Sequence, residues 1–210
     1  MIKATYSDKE FIVDLLCRAF DQYNSINEAV KQNRKREKSI RRLMDYSFET
    51  CWLYGEIYFT SDLKGVALLF SPEKKKTMLK SLTRDLSLIF YAINFWRIVK
   101  IIRREFLLKK YYSNQLVYIW YLGVEPEFQG QGVGTRLLKE IIQMVDQRNL
   151  PIYLETSLLI NVSFYKRLNF KVFQKFHFSY TLYMLKREPV SQLSNEEEIT
   201  SRMPHLEEAS

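Results

Sequence analysis

The chain has 210 residues, 47% hydrophobic and 27% charged, which suits one folded domain with a real core and excludes a fibrous or wholly disordered chain. Its formal net charge of +8 suits nucleic acid, anionic lipid or a phosphorylated cofactor as a partner, or else solvated basic helix faces. Two cysteines, Cys17 and Cys51, and two histidines, His177 and His205, make neither a disulfide framework nor a metal-ligand spacing, so reduced cytosolic thiols are expected and a metal enzyme is not.

The opening MIKATYSDKEF lacks the apolar run of a signal peptide. Residues 2–6 suit a short strand. Ser7 precedes Glu10 by three, a capping-box pattern, and Phe11, Leu15, Leu16, Ala19 and Phe20 follow at helical spacing. This predicts an amphipathic helix ending near Tyr23. A second helix, strongly basic, is predicted over about 27–48, with Ile40, Leu43, Met44 and Phe48 on its apolar side. WLYGEIYFTSDLKGVALLFSP then reads as two strands, roughly 52–60 and 65–71, joined by SDLKG and ended by Pro72.

Residues 73–112 carry eleven Lys/Arg against three Asp/Glu. Leu79, Leu82, Leu86, Ile89, Ile93, Trp96, Val99 and Ile102 recur at spacings of three and four, which predicts a long helix or two shorter ones. Its most apolar piece, LSLIFYAINFW at 86–96, is far shorter than the roughly 20 residues needed to span a bilayer.

QLVYIWYLGVEP predicts a strand over about 115–124, and Val133, Leu137, Leu138, Ile141, Ile142 and Val145 predict a helix over about 133–147. PIYLETS suits another strand and NVSFYKRL a short helix. Asn169 can end that helix, since Asn tolerates left-handed backbone. Strands at about 171–177 and 179–187 complete a domain over 1–188. Residues 189–210, with five Glu and one Arg, are expected to be a disordered acidic tail.

Four of the six glycines lie between 123 and 134. QGQGVGT, residues 129–135, stands where the 133–147 helix begins. A helix N-terminus offers unpaired N–H groups and partial positive charge, and glycine lets a phosphate approach it closely. The P-loop pattern is excluded, because no Gly-Lys-Ser/Thr exists in the chain. The Rossmann fingerprint lacks its third glycine and the repeated strand–helix units it needs.

A third pattern, Gln/Arg-x-x-Gly-x-Gly/Ala, is met by Gln129, Gly132 and Gly134. It follows a strand ending LGV-x-P, and a second block, LETSLLINVSFYKRLNF, comes some thirty residues later. In these two blocks, and in its element order over residues 2–187, the chain resembles the GCN5-related N-acetyltransferase (GNAT) superfamily. The resemblance implies an α/β (α+β mixed) fold: a central twisted mixed sheet with splayed parallel strands, flanked by helices. The 73–112 helical insertion between the third and fourth strands departs from it. Acetyl-CoA is the implied acyl donor, with Gln129, Gly130, Gln131, Gly132, Val133, Gly134 and Thr135 at its pyrophosphate and Leu122, Gly123 and Val124 along its pantetheine arm. Gly123 is the expected bulge of the splayed strand. Asn161 corresponds to a residue contacting the cofactor arm. Tyr165 corresponds to the acid that protonates the leaving thiolate, and Glu155 is the candidate base.

The resemblance further implies direct acetyl transfer to a primary amine, cytoplasmic location and a homodimer as one assembly. Nucleic acid and a transmembrane segment are not expected. A non-catalytic acyl-CoA-binding module remains open, as does a peripheral membrane protein docking through the basic insertion. The insertion, rich in aromatics such as Phe90, Tyr91, Phe95 and Trp96, is read as a wall of the acceptor pocket.

Overall fold

The computed structural model describes residues 1–21, 36–72, 115–177 and 180–191. The insertion at 73–112, the expected start of the second helix and the tail from 192 onward lie outside the described residues.

Seven strands form one mixed sheet. They are β1 (Ile2–Lys3), β2 (Gly55–Phe59), β3 (Gly65–Phe70), β4 (Val117–Val124), β5 (Ile152–Thr156), β6 (Lys171–His177) and β7 (Thr181–Arg187), in spatial order β1-β2-β3-β4-β5-β7-β6. All neighbours pair antiparallel except β4 and β5. The helices are α1 (Lys9–Phe20), α2 (Arg36–Tyr54), α3 (Val133–Gln147) and α4 (Leu159–Lys166).

The helices cover both faces of the sheet. On one, Leu16 of α1 and Met44 and Phe48 of α2 pack with Leu68 and Tyr121. On the other, Leu137, Leu138 and Ile141 of α3 and Val162 of α4 pack with Ile119 and Leu154. Burial of these apolar faces is the main favourable term in folding.

Two local expectations are corrected. The capping box lies earlier than Ser7–Glu10: the Thr5 N–H and Thr5 Oγ1 both donate to Asp8 Oδ2, at 2.7 and 2.6 Å. A 3-10 turn over Tyr6–Asp8 precedes α1, so the cap moves to the start of that turn. Helix α2 also runs on through Trp52, Leu53 and Tyr54, which their β-forming side chains had assigned to a strand. Met44, Ser47, Phe48, Cys51 and Tyr54 continue one buried stripe at helical spacing, leaving Trp52 and Leu53 on the outer face. Tertiary burial thus overrides local propensity.

Asn169 ends the α4 segment with φ 65°, as its left-handed tolerance predicts. The carboxyl end of α3 is tied to the sheet by the buried Arg187, whose guanidinium donates to both oxygens of Asp146 at 2.6 and 2.9 Å. Replacing Arg187 with Ala strips a partly buried carboxylate of its partner. The expected cost is about 2–4 kcal/mol, read as a lower urea midpoint with unchanged slope.

Candidate active site

The site starts from how strands β4 and β5 part. They pair through Val117–Ile152, Tyr118–Tyr153 and Ile119–Leu154, and no further. Beyond Ile119, among the described residues, β4 runs on to Val124 with no partner on its β5 side. In the β3–β4 ladder, Leu69 faces Ile119 while Leu68 faces Tyr121. Trp120 is therefore an extra residue, a β-bulge at the point of parting. Such bulges bend a strand and re-aim its side chains.

The bulge was expected at Gly123, which instead pairs regularly with Val66. Glycine at 123 has another reason. A Cβ there would lie 3.1 Å from Phe20 and 3.3 Å from Ala19 and Leu16, so a side chain would push α1 off the strand.

Where the strands diverge, a cleft of ≈ 360 Å³ opens. Of the residues singled out by sequence, Leu122, Gly123, Val124, Gln129, Gly130, Gly132, Gly134, Thr135, Asn161 and Tyr165 line it. Gln131, Val133 and Glu155 do not. Gln131 is exposed and its amide donates to Glu127 O at 2.8 Å. Val133 is buried beside Gly65 of β3. Glu155 follows Leu154, which packs toward α3 and α4, so strand alternation places it on the opposite face.

Gly130 and Gly132 take φ of 75° and 82°, and a Cβ at either would meet nothing within 4 Å. The requirement for glycine is thus one of backbone conformation, with open space left above the turn. The first α-helical bond of α3 runs from Arg136 N–H to Gly132 O, at 2.9 Å. The N–H groups of Val133, Gly134 and Thr135 come before it, as the donors that a helix leaves unsatisfied. Gln129 braces the loop, its amide donating to Val124 O at 3.0 Å. Glu125, just past the end of β4, accepts from Nε and Nη2 of Arg18, one on each carboxylate oxygen.

Tyr165 is 8% exposed and reaches the cleft from α4 between Phe164 and Phe170. Asn161 is the third residue of α4, not its cap. Its amide donates to Thr156 Oγ1 at 3.3 Å, and the same oxygen accepts from Leu158 N–H at 3.2 Å. These two bonds turn the chain from β5 into α4 and so fix Tyr165.

Sequence reasoning missed Ala19, Phe20, Phe128, Phe164 and Arg167 in the cleft wall. Phe20 was visible as the last apolar residue of its helix stripe. Nothing in the sequence said which base of the Lys166–Arg167 pair faces inward.

Residues 93–170 match the family model described as the acetyltransferase (GNAT) family, and this stretch contains both the cradle and Tyr165. This stretch, well under half of the chain, is similar to that family. The chain is 42% identical over 53 residues, 25% of this chain, to an uncharacterised N-acetyltransferase of Schizosaccharomyces pombe. The match spans only 22% of that protein's length. Among solved structures, the chain resembles a histone acetyltransferase HPA2 and related acetyltransferase from Corynebacterium glutamicum, with TM-score 0.65 and 21% identity over 90% of this chain and 95% of that one. It also resembles arylalkylamine N-acetyltransferase 2 from Aedes aegypti, with TM-score 0.61 and 15% identity over 89% and 97%. At these identities the likeness concerns the fold.

Neither thiol of the chain is activated. Burial pushes the Cys17 thiol up to about 11, and burial raises the Cys51 thiol as well. Among the described residues, no three His, Cys, Asp or Glu side chains are grouped to hold a metal ion, and no helix is long and apolar enough to cross a membrane. At pH 8 iodoacetamide should therefore alkylate Cys17 on the order of 100-fold more slowly than free cysteine. Mass spectrometry of timed aliquots measures this.

Proposed function

We propose that this chain is an acetyl-CoA-dependent N-acetyltransferase that acetylates a primary amine of a small molecule by direct attack. One juxtaposition carries the reading: the left-handed glycine turn that opens α3 shares a cleft with Tyr165 and with the unpaired edge of β4.

The residues fit the donor. Gly130, Gly132, Gly134 and Thr135 offer backbone N–H groups and open space to a pyrophosphate. Arg167 at the cleft wall adds a cation. Leu122, Gly123 and Val124 present a strand edge on which an extended amide-bearing arm can lie as a further strand. Gln129 and Asn161 hold the loop and the helix in register.

The bound thioester supplies the activated acyl carbon. The amine nitrogen forms a bond to that carbon and the carbon–sulfur bond breaks. The proton lost by the amine passes to Glu155, directly or through water. Tyr165 gives a proton to the departing sulfur. Backbone N–H groups near the β4 bulge stabilise negative charge on the acyl oxygen. Direct transfer follows from the thiols, since neither cysteine is poised to carry an acetyl group.

Excess acetyl-CoA should raise the melting temperature of the wild type by a few degrees. Gly132→Glu, which fills the cradle and places a side chain at left-handed φ for about 1–2 kcal/mol, should stay folded by circular dichroism and lose that shift. A variant that still shifts would remove the cradle from the reading.

Tyr165→Phe should lower kcat by about 10²–10⁴, with the acetyl-CoA-induced shift preserved. Unchanged turnover would assign the phenol to packing alone. Cys17→Ser and Cys51→Ala together should leave kcat within a few-fold of wild type.

A further inference from the structure

Resting on the acetyl-CoA reading, we propose that Arg167 is a specificity residue for the acyl donor. Its guanidinium takes the phosphate carried on the ribose of coenzyme A, apart from the pyrophosphate held by the glycine turn.

The pattern of ion pairs around the cleft singles out this side chain. Arg18 and Arg136 stand beside the glycine loop, and each is engaged by a carboxylate, Glu125 and Asp62 in turn. Lys64 lies over the Phe128 ring. Arg167 is exposed and lines the cleft itself, and among the described residues it forms no ion pair. A guanidinium keeps its charge at any working pH and offers a flat fork of N–H groups that fits a phosphate.

The backbone under Arg167 is fixed. Asn169 N–H donates to Lys166 O at 3.1 Å, and Phe170 N–H donates to Tyr165 O at 3.2 Å. With Asn169 at φ 65°, these are the two bonds of a Schellman motif. Phe170 also meets the Tyr165 ring edge-on, with centroids 5.7 Å apart, the apolar contact that accompanies such an end. The motif that sets Tyr165 therefore also sets the base of the Arg167 side chain. Asn161, Phe164 and Arg167 follow at spacings of three and all line the cleft, so they form one row on α4. Lys166 lies off that row. A cation in the last turn suits the helix dipole from either position, but only Arg167 is turned to the cleft.

Placement separates the ligand of Arg167 from that of the cradle. The N–H groups of Val133, Gly134 and Thr135 open α3, whereas Arg167 stands at the carboxyl end of α4. The row on α4 runs about 9 Å along the helix from Asn161 to Arg167. The two linked phosphates of the pyrophosphate meet the α3 N–H groups. The third phosphate hangs from the ribose beyond them and carries about 1.5 to 2 negative charges at neutral pH. It is the part of coenzyme A whose charge the glycine turn leaves unpaired. A protonated amine acceptor would be repelled by the guanidinium, and the acetyl group has no anion to offer it.

Isothermal titration with coenzyme A and with 3′-dephospho-coenzyme A, at one ionic strength, tests this. The wild type should bind coenzyme A at least about 10-fold more tightly than the dephospho form. Arg167→Gln should weaken coenzyme A alone and bring the two dissociation constants within about two-fold. Arg167→Lys should restore part of the preference, and Lys166→Gln, which removes the same charge off the row, should keep all of it. Circular dichroism checks each fold, and Arg167→Met, which keeps the aliphatic stem, replaces Arg167→Gln should that variant not fold. Equal binding of the two ligands to the wild type, or a preference that the folded Arg167 variants keep, overturns the ribose-phosphate role while the acetyl-CoA reading stands. Equal weakening of both ligands by Arg167→Gln moves the guanidinium to the pyrophosphate and overturns that role as well. The same loss of preference in Lys166→Gln assigns the effect to net charge and also overturns it. No binding of either ligand to the wild type overturns both the role and the acetyl-CoA reading.

Discussion

Everything in this site depends on two parallel strands that stop pairing after three steps. A parallel ladder normally satisfies the backbone groups of both its strands. Here β4 continues for five residues past its last contact with β5, and an exposed strand edge is a ready template for another extended chain. The parting has causes on both strands. Trp120 inserts an extra residue into β4 against β3. On β5, Thr156 Oγ1 gathers two hydrogen bonds that turn the chain into α4. The same turn that ends β5 also carries Tyr165 to the cleft.

The glycine cradle depends on the position of α3, which is held at both ends. At its carboxyl end Arg187 of β7 clamps Asp146. At its amino end Gln129 ties the loop to Val124, the last residue of β4. Between them Leu137, Leu138 and Ile141 lock the helix to the sheet. The cradle's donors are therefore preorganised, and anion binding there needs little ordering of the backbone. The opposite wall is set by α1, which approaches β4 closely only because residue 123 has no side chain.

Charge is arranged to leave this cleft receptive. Two acidic side chains near it are already engaged by cations: Glu125 by Arg18, and Asp62 by Arg136 at 2.7 Å. Lys64 lies over the Phe128 ring, 3.9 Å from its centroid. Arg167 contributes positive charge to the wall itself. The proposed multiply anionic donor would thus meet cations at and beside the cleft.

The sequence alone pointed to the family likeness and to the order of most elements. Two motifs did this, because a glycine turn opening a helix and an Asn-x-x-x-Tyr helix are local patterns whose chemistry is written in adjacent residues. It also marked the left-handed end of α4 at Asn169, which depends on one residue's backbone tolerance. The tertiary structure decided the rest. Trp52–Tyr54 looked like strand and became helix, since the buried stripe of α2 extends through Cys51 and Tyr54 against a core that local propensity does not contain. The bulge fell at Trp120 and not at Gly123, because a bulge is a mismatch between two strands and belongs to neither sequence by itself. The parting of β4 from β5 depends on that mismatch and on a parallel register between residues far apart in the chain. No local pattern encodes such a pairing, which is why the glycine turn was legible from the sequence and the bulge beside it was not.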